Sequence, residues 1–135
     1  ALRAALDTGE REAVQQAAEA LVRALIDDVG VEPVEVEVLE TRPKNDQGEL
    51  HGLYTFEDGE PTRIQVWMRT AAKGRVVAWK SFLRTLLHEV CHHLDYHLLS
   101  LPDSLHTQGF YMRESDLFAQ IVAPEPPAAE RLPGL

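Results

Sequence analysis

The stretch Val77–Leu99, VAWKSFLRTLLHEVCHHLDYHLL, decides how the rest of the chain reads. Its apolar residues recur at helical spacing. Wound at about 100° per residue from His88, the residues Ser81, Arg84, Thr85, Glu89, His92 and Asp95 fall between about −40° and +100°. Trp79, Leu83, Leu86, Leu87, Val90 and Leu94 fall between about 160° and 260°. The spacing therefore predicts one long helix with a core-facing stripe and an opposite polar face. A surface helix is amphipathic too, but lysine and glutamate would suffice for its wet side. This polar face instead carries His88, Glu89 and His92.

Elements on either side follow from periodicity. Glu10–Val29 reads as an amphipathic helix with Val14, Ala17, Ala18, Leu21, Val22, Leu25 and Val29 inward. Asp7 and Glu10 are spaced as a capping box, and Gly30 is a natural stop. Pro33–Glu40 alternates, with Val34, Val36 and Val38 on one face and Glu35 and Glu37 on the other, as a half-buried strand does. Thr41–Glu49 is loop chemistry. Leu50–Phe56 and Thr62–Met68 read as strands joined by a turn at Glu57–Pro61, with Ile64, Val66 and Met68 sharing a face. After the long helix, Pro102 and Asp103 mark a turn, and Phe110–Val122 reads as a last helix with Phe110, Leu117, Phe118 and Ile121 inward. Residues 123–135 are proline-rich and are expected to form a flexible tail. The expected architecture is α+β: one domain over residues 1–122, running helix, three-stranded antiparallel sheet, motif helix, C-terminal helix.

Composition narrows the partners. The 135 residues carry 13 Lys+Arg against 22 Asp+Glu, a net charge of −9, which disfavours nucleic acid and anionic membranes as main partners. Hydrophobic content of 44% suits a soluble globular chain, and no apolar run approaches the length of a membrane span. One cysteine, Cys91, excludes an internal disulfide and a multi-cysteine zinc site. That fits a reducing compartment, and with no visible signal peptide the expected location is the cytoplasm.

The chemistry lies in the motif His88-Glu89-x-x-His92. Two histidines four apart on a helix project from one face about a turn apart, so both imidazoles can reach one metal ion. Zinc lowers the pKa of a bound water to about 7, and the adjacent glutamate can take its proton. A catalytic zinc usually has three protein ligands and one open position. Two residues compete for the third place. His106 follows His92 by 14 residues and lies past the turn, so it can return toward the helix. Glu114 shares a helix face with Phe110, Leu117 and Ile121, and an inward glutamate is unusual unless paired or metal-bound. If His106 is the ligand, Glu114 accepts a hydrogen bond from a ligand imidazole or pairs with an arginine.

His88-Glu89-x-x-His92, followed by His106-Thr107-Gln108-Gly109-Phe110-Tyr111, resembles the zincin metallopeptidases. The SprT-like type is the most similar: its HExxH is followed, after a short turn, by a third histidine, a glycine and an aromatic. The element order is also that of a minimal zincin core, and the resemblance spans roughly Glu10 to Val122. It implies His88, His92 and His106 as zinc ligands and Glu89 as general base. It also implies Thr62–Met68 as the edge strand beside the cleft, where an extended peptide substrate adds as one more strand. The glutamate-ligand zincins keep Glu114 open as the third ligand. No zinc ribbon or DNA-binding extension is visible, so the substrates of better-known relatives are not expected here.

The function expected on these grounds is zinc-dependent peptide hydrolysis. The alternative is a zinc-stabilised, non-catalytic binding or regulatory module, whose closed site would take a fourth ligand from Glu114, Asp95 or His97. Other residues have plainer expectations. Asp95 either orients a ligand imidazole or is a solvated helix residue. His93 lies off the site face, His97 reads as a satisfied core histidine, and Cys91 as a buried thiol. Tyr111 or Arg113 is a candidate for stabilising an oxyanion. His51 and Trp67 read as structural.

Overall fold

A computed structural model describes residues 1–123. In chain order the elements are α1 (Leu2–Thr8), α2 (Arg11–Val29), β1 (Glu35–Thr41), β2 (Lys44–Asn45), β3 (Gly48–Glu49), β4 (Gly52–Thr55), β5 (Arg63–Arg69), α3 (Trp79–His97) and α4 (Gln108–Val122). The proline-rich tail expected over 123–135 lies, but for Ala123, outside the described residues.

The apolar stripe of α3 is the centre of the core. Phe82, Leu83, Leu86, Leu87 and Val90 are wholly buried, and each such side chain contributes about 1.5–3 kcal/mol relative to exposure. They meet Val14, Ala18 and Val22 of α2 and the inner faces of β1 and β5 in one cluster. Strand alternation holds as read: Ile64, Val66 and Met68 have no exposure, and Val36 and Val38 are buried beside them. Gly30 ends α2 at φ 71°, in the left-handed region where glycine pays no Cβ penalty.

The sheet itself corrects the expectation. It is mixed, with strand order β1-β5-β4: β5 pairs parallel with β1 and antiparallel with β4. Period-two alternation tells which face a strand buries, not its neighbour or direction. Here β4 and β5 form the expected hairpin, and β5 then slots in beside β1 running the same way. Consequently β5 is the central strand, not the edge. The edge beside the motif helix is β4.

The other edge is blocked. Gln15 of α2 donates to the Val36 carbonyl (2.6 Å) and accepts from the Val38 amide (2.7 Å), while Arg11 donates to the Val38 carbonyl (3.0 Å). These side chains occupy the backbone groups of β1 that a further strand would use.

Smaller corrections have local causes. Asp7 and Glu10 form no capping box, because Asp7 sits inside α1 and Glu10 is the N-cap of α2 without a side-chain cap bond. Instead Thr8 Oγ1 accepts from the Glu10 amide at 3.1 Å. The loop expected over Thr41–Glu49 contains the short β2–β3 ladder. No helix among the described residues is long and apolar enough to cross a membrane.

Candidate metal centre

His88 and His92 project from α3 one turn apart, and the chain after α3 doubles back to deliver His106. Asp95 anchors that return. Its carbonyl accepts from the Leu101 amide (2.9 Å), and its Oδ2 accepts from Ser104 Oγ (2.6 Å). The outcome is three imidazoles facing one point. His106 Nε2 lies 3.1 Å from His88 Nε2 and 3.1 Å from His92 Nε2, and one ligand atom from each ring falls within 4.8 Å of the others. They are close enough to share a metal ion.

The outer nitrogens decide what the inner ones offer. His88 Nδ1 lies 2.7 Å from Glu114 Oε1, a carboxylate that can only accept, so Nδ1 carries the proton. His92 Nδ1 lies 2.7 Å from Ser104 Oγ, whose single proton goes to Asp95, so this Nδ1 is also the donor. In each neutral ring Nε2 is then a bare lone pair. His92 stays neutral, since burial, reinforced by the neighbouring His88 and His106, holds its pKa down to about 4. Two lone pairs thus converge on His106 Nε2, which can satisfy at most one of them with a proton. A cation satisfies all three, so the donor set fits a metal of the imidazole-binding kind.

Glu114 and Asp95 therefore hold the rings from behind. Glu114 is 6% exposed and also takes Arg84 Nη1 at 3.4 Å, and the Arg84 guanidinium lies 4.0 Å over the Phe118 ring. Asp95, 1% exposed, is neutralised by Arg113 Nη2 at 2.9 Å. Arg113 thus has its Nη2 engaged by Asp95. Glu114→Gln should weaken metal affinity about 10–100-fold, the usual cost of losing such a partner. Competition with a chromogenic chelator would measure it, and unchanged affinity would remove Glu114 from the site.

Glu89 sits beside the three rings, 6% exposed. Burial, with the Glu114 charge adding to it, lifts its pKa to about 7, so the carboxylate is poised to exchange a proton near neutrality. The edge strand comes very close to it. A Cβ on Gly52 would lie 2.7 Å from Thr85 Cγ2 and 3.0 Å from Glu89 Oε2. Only glycine lets β4 run this near the carboxylate. Gly52→Val should cost about 1–3 kcal/mol in urea unfolding, as overpacking does. A wild-type midpoint would show that β4 stands further off.

Aromatic rings wall the site. Phe110 is wholly buried, with its centroid 4.9, 4.7 and 5.2 Å from those of His88, His92 and His106. It was legible only as a core residue, yet it is the floor under the imidazoles. Gly52, Leu53, Tyr54 and Tyr96 border an open groove of about 340 Å³ that reaches His88, Glu89, His92 and His106. The Tyr54 hydroxyl is 2.9 Å from His93 Nδ1, and His93 Nε2 is 2.6 Å from the Glu32 carbonyl. That carbonyl requires a proton on Nε2, so Tyr54 donates to Nδ1. His93 is thus a buried strut holding β4 to α3, off the site face as expected.

His97 departs from expectation. It is half-buried against Phe56 (4.9 Å between ring centres) and His93 (4.3 Å), but its buried Nε2 has no hydrogen-bond partner among the described residues. Cys91 is a buried free thiol, as read, and burial raises its pKa to about 12. Tyr111 is exposed, with its ring centre 5.8 Å from that of His106. His51 is exposed and lines the groove near Glu89, not the structural position expected of it. Trp67 is half-buried on β5, in keeping with packing.

The chain matches no protein-family model, no curated protein and no solved structure. The functional reading is carried by the geometry of this site.

Proposed function

We propose that the chain is a zinc-dependent metallopeptidase of minimal zincin type. The observation that carries the reading is the pair of Nε2 lone pairs, locked by Glu114 and by Ser104–Asp95, meeting His106 beside the buried Glu89. Three imidazoles suit zinc above harder cations such as magnesium or calcium. A zinc ion held there would supply Lewis acidity, polarising a peptide carbonyl and making water a nucleophile near neutral pH.

The chain's own groups do the proton work. Glu89 accepts a proton as the water oxygen attacks the carbonyl carbon. It then delivers that proton to the amide nitrogen as the carbon–nitrogen bond breaks, leaving one carboxylic acid and one amine. The peptide lies extended along β4, whose outer edge pairs with no strand among the described residues, while α2 blocks the edge at β1. Leu53, Tyr54 and Tyr96 offer apolar surface on one side of the reacting centre.

A closed, structural zinc site would need a fourth protein ligand. Glu114 and Asp95 are turned to the outer nitrogen of His88 and to Ser104, and His97 packs against Phe56 and His93. These contacts favour an open position over the non-catalytic alternative.

The pH dependence has a definite sign. Glu89 must be ionised to act as base, and its burial raises its pKa to about 7 in the metal-free chain. Zinc's positive charge favours the ionised form, so kcat/KM for a fluorogenic peptide should rise with pH along an acid limb at or below about 7. An activity that falls as pH rises through 5 to 7 would contradict this role.

A further inference from the structure

A second cavity adjoins the metal groove, and its chemistry is cationic. It has a volume of about 570 Å³ and is bordered by Arg42, His51, Thr70, Arg75, Ser81 and Arg84. His51, Arg84 and Thr85 border both this cavity and a hollow that shares Gly52, His88 and Glu89 with the metal groove, so the cavity adjoins the groove through that hollow. In a chain of net charge −9, three arginines around one hollow are a local reversal of sign.

Arg42 is the unusual member. Its side chain is 8% exposed, and its buried Nε has no hydrogen-bond partner among the described residues. Glu49 is the acid beside it, with Oε2 3.9 Å from Arg42 Nη1 and 4.0 Å from His51 Nε2. The other oxygen of Glu49 is engaged by the Ala71 amide at 2.6 Å. Glu49 therefore offsets part of the Arg42 charge without forming a hydrogen bond to Arg42 or to His51. A buried guanidinium N–H with no acceptor is costly, and native chains seldom leave one so. Burial also lowers the Arg42 pKa, the direction expected of a cation short of partners.

The wall opposite adds donors. Ala78 and Ser81 border the cavity, and Ala78 is the N-cap of α3 without a side-chain cap bond. No acidic residue stands in the first turn of this helix, so the positive end of its dipole is not neutralised there. Arg75 is exposed and forms no ion pair among the described residues. Arg84 is shared with Glu114 and is the weakest contributor.

We propose that this cavity is an oxyanion site that receives the acidic side chain of a peptide lying in the metal groove. Adjacency to the groove supports this occupant over a free anion. A residue flanking the scissile bond could send an Asp or Glu side chain past His51 toward Arg42 and Arg75. The assignment of a peptide rests on the metallopeptidase reading. The anion chemistry does not.

The test uses the metal-free chain, so that neither zinc nor turnover is required. Two blocked tripeptides, acetyl-Ala-Glu-Ala-amide and acetyl-Ala-Gln-Ala-amide, are titrated while the Arg42 Nε–H signal and the amides of residues 79–81 are followed by NMR. The glutamate peptide should shift these signals saturably and bind at least tenfold more tightly than the glutamine peptide. Arg75→Gln, an exposed change, should erase most of that difference. Equal binding of the two peptides, or no shift with either, would overturn the proposal. Saturable binding of inorganic phosphate with no preference between the peptides would also overturn it, assigning the cavity to a free anion. If zinc-loaded protein cleaves peptides without regard to an acidic neighbour, the anion proposal fails and the metallopeptidase reading survives. If the glutamate preference holds but no peptide is cleaved, the anion site stands and the hydrolytic reading fails.

Discussion

Glu89→Gln should retain the metal and lose peptide hydrolysis by a factor of about 10²–10⁴, the range supplied by a positioned general base. Glutamine keeps the shape of the side chain and cannot accept the proton. The fold should not suffer. Glu89 is 6% exposed, its pKa is lifted to about 7 by burial and by Glu114, and neutralising such a group removes a desolvation cost. The variant should therefore melt no lower than the parent and bind an equal amount of zinc. Turnover within a few-fold of the parent would remove Glu89 from the mechanism.

His106→Ala should be more damaging to metal binding than Glu114→Ala, and the contrast decides between the two candidates for the third ligand. Glu114 touches Nδ1 of His88, the nitrogen facing away from the convergence point, so its loss costs about 10–100-fold in affinity. His106 supplies one of the three converging nitrogens, 3.1 Å from each of the other two Nε2 atoms. Its loss should exceed that range and leave the chain metal-free after dialysis. His106 lies in the exposed return loop, so the variant should still fold. If instead Glu114→Ala strips the metal and His106→Ala keeps it, the glutamate is the ligand and the ring arrangement has been misread.

How much of this was legible in the residues alone depended on whether the signal was local. The amphipathic division of Val77–Leu99 was written in one stretch: Leu83, Leu86, Leu87 and Val90 of its apolar stripe are buried and Trp79 and Leu94 half-buried, whereas Glu89 and Asp95 on its polar face are buried as well. The gathering of His88 and His92 follows from helical geometry. That of His106 follows from a reversal the Pro102-Asp103 turn announces. Strand order was not local. The same alternation in Thr62–Met68 suits a central or an edge strand, and only the three-dimensional pairing puts β5 between β1 and β4. Ser104 as the link between His92 and Asp95 carried no signal, because a serine in a loop is ordinary until its neighbours are known. Arg42 and Arg75 were hidden for the same reason, being 33 residues apart in the chain. Gly52 stood inside the strand read over Leu50–Phe56, and nothing in its neighbours marked it as the place where backbone meets carboxylate.

The most direct test of the central claim is X-ray absorption at the zinc edge on the purified, zinc-loaded chain, together with metal content per chain. The expected result is one zinc per chain with three imidazole nitrogens at about 2.0–2.1 Å and a single light-atom ligand in the fourth position that varies with added inhibitor or anion. A chain that holds no zinc, or a zinc enclosed by four protein ligands and insensitive to added anions, would contradict it.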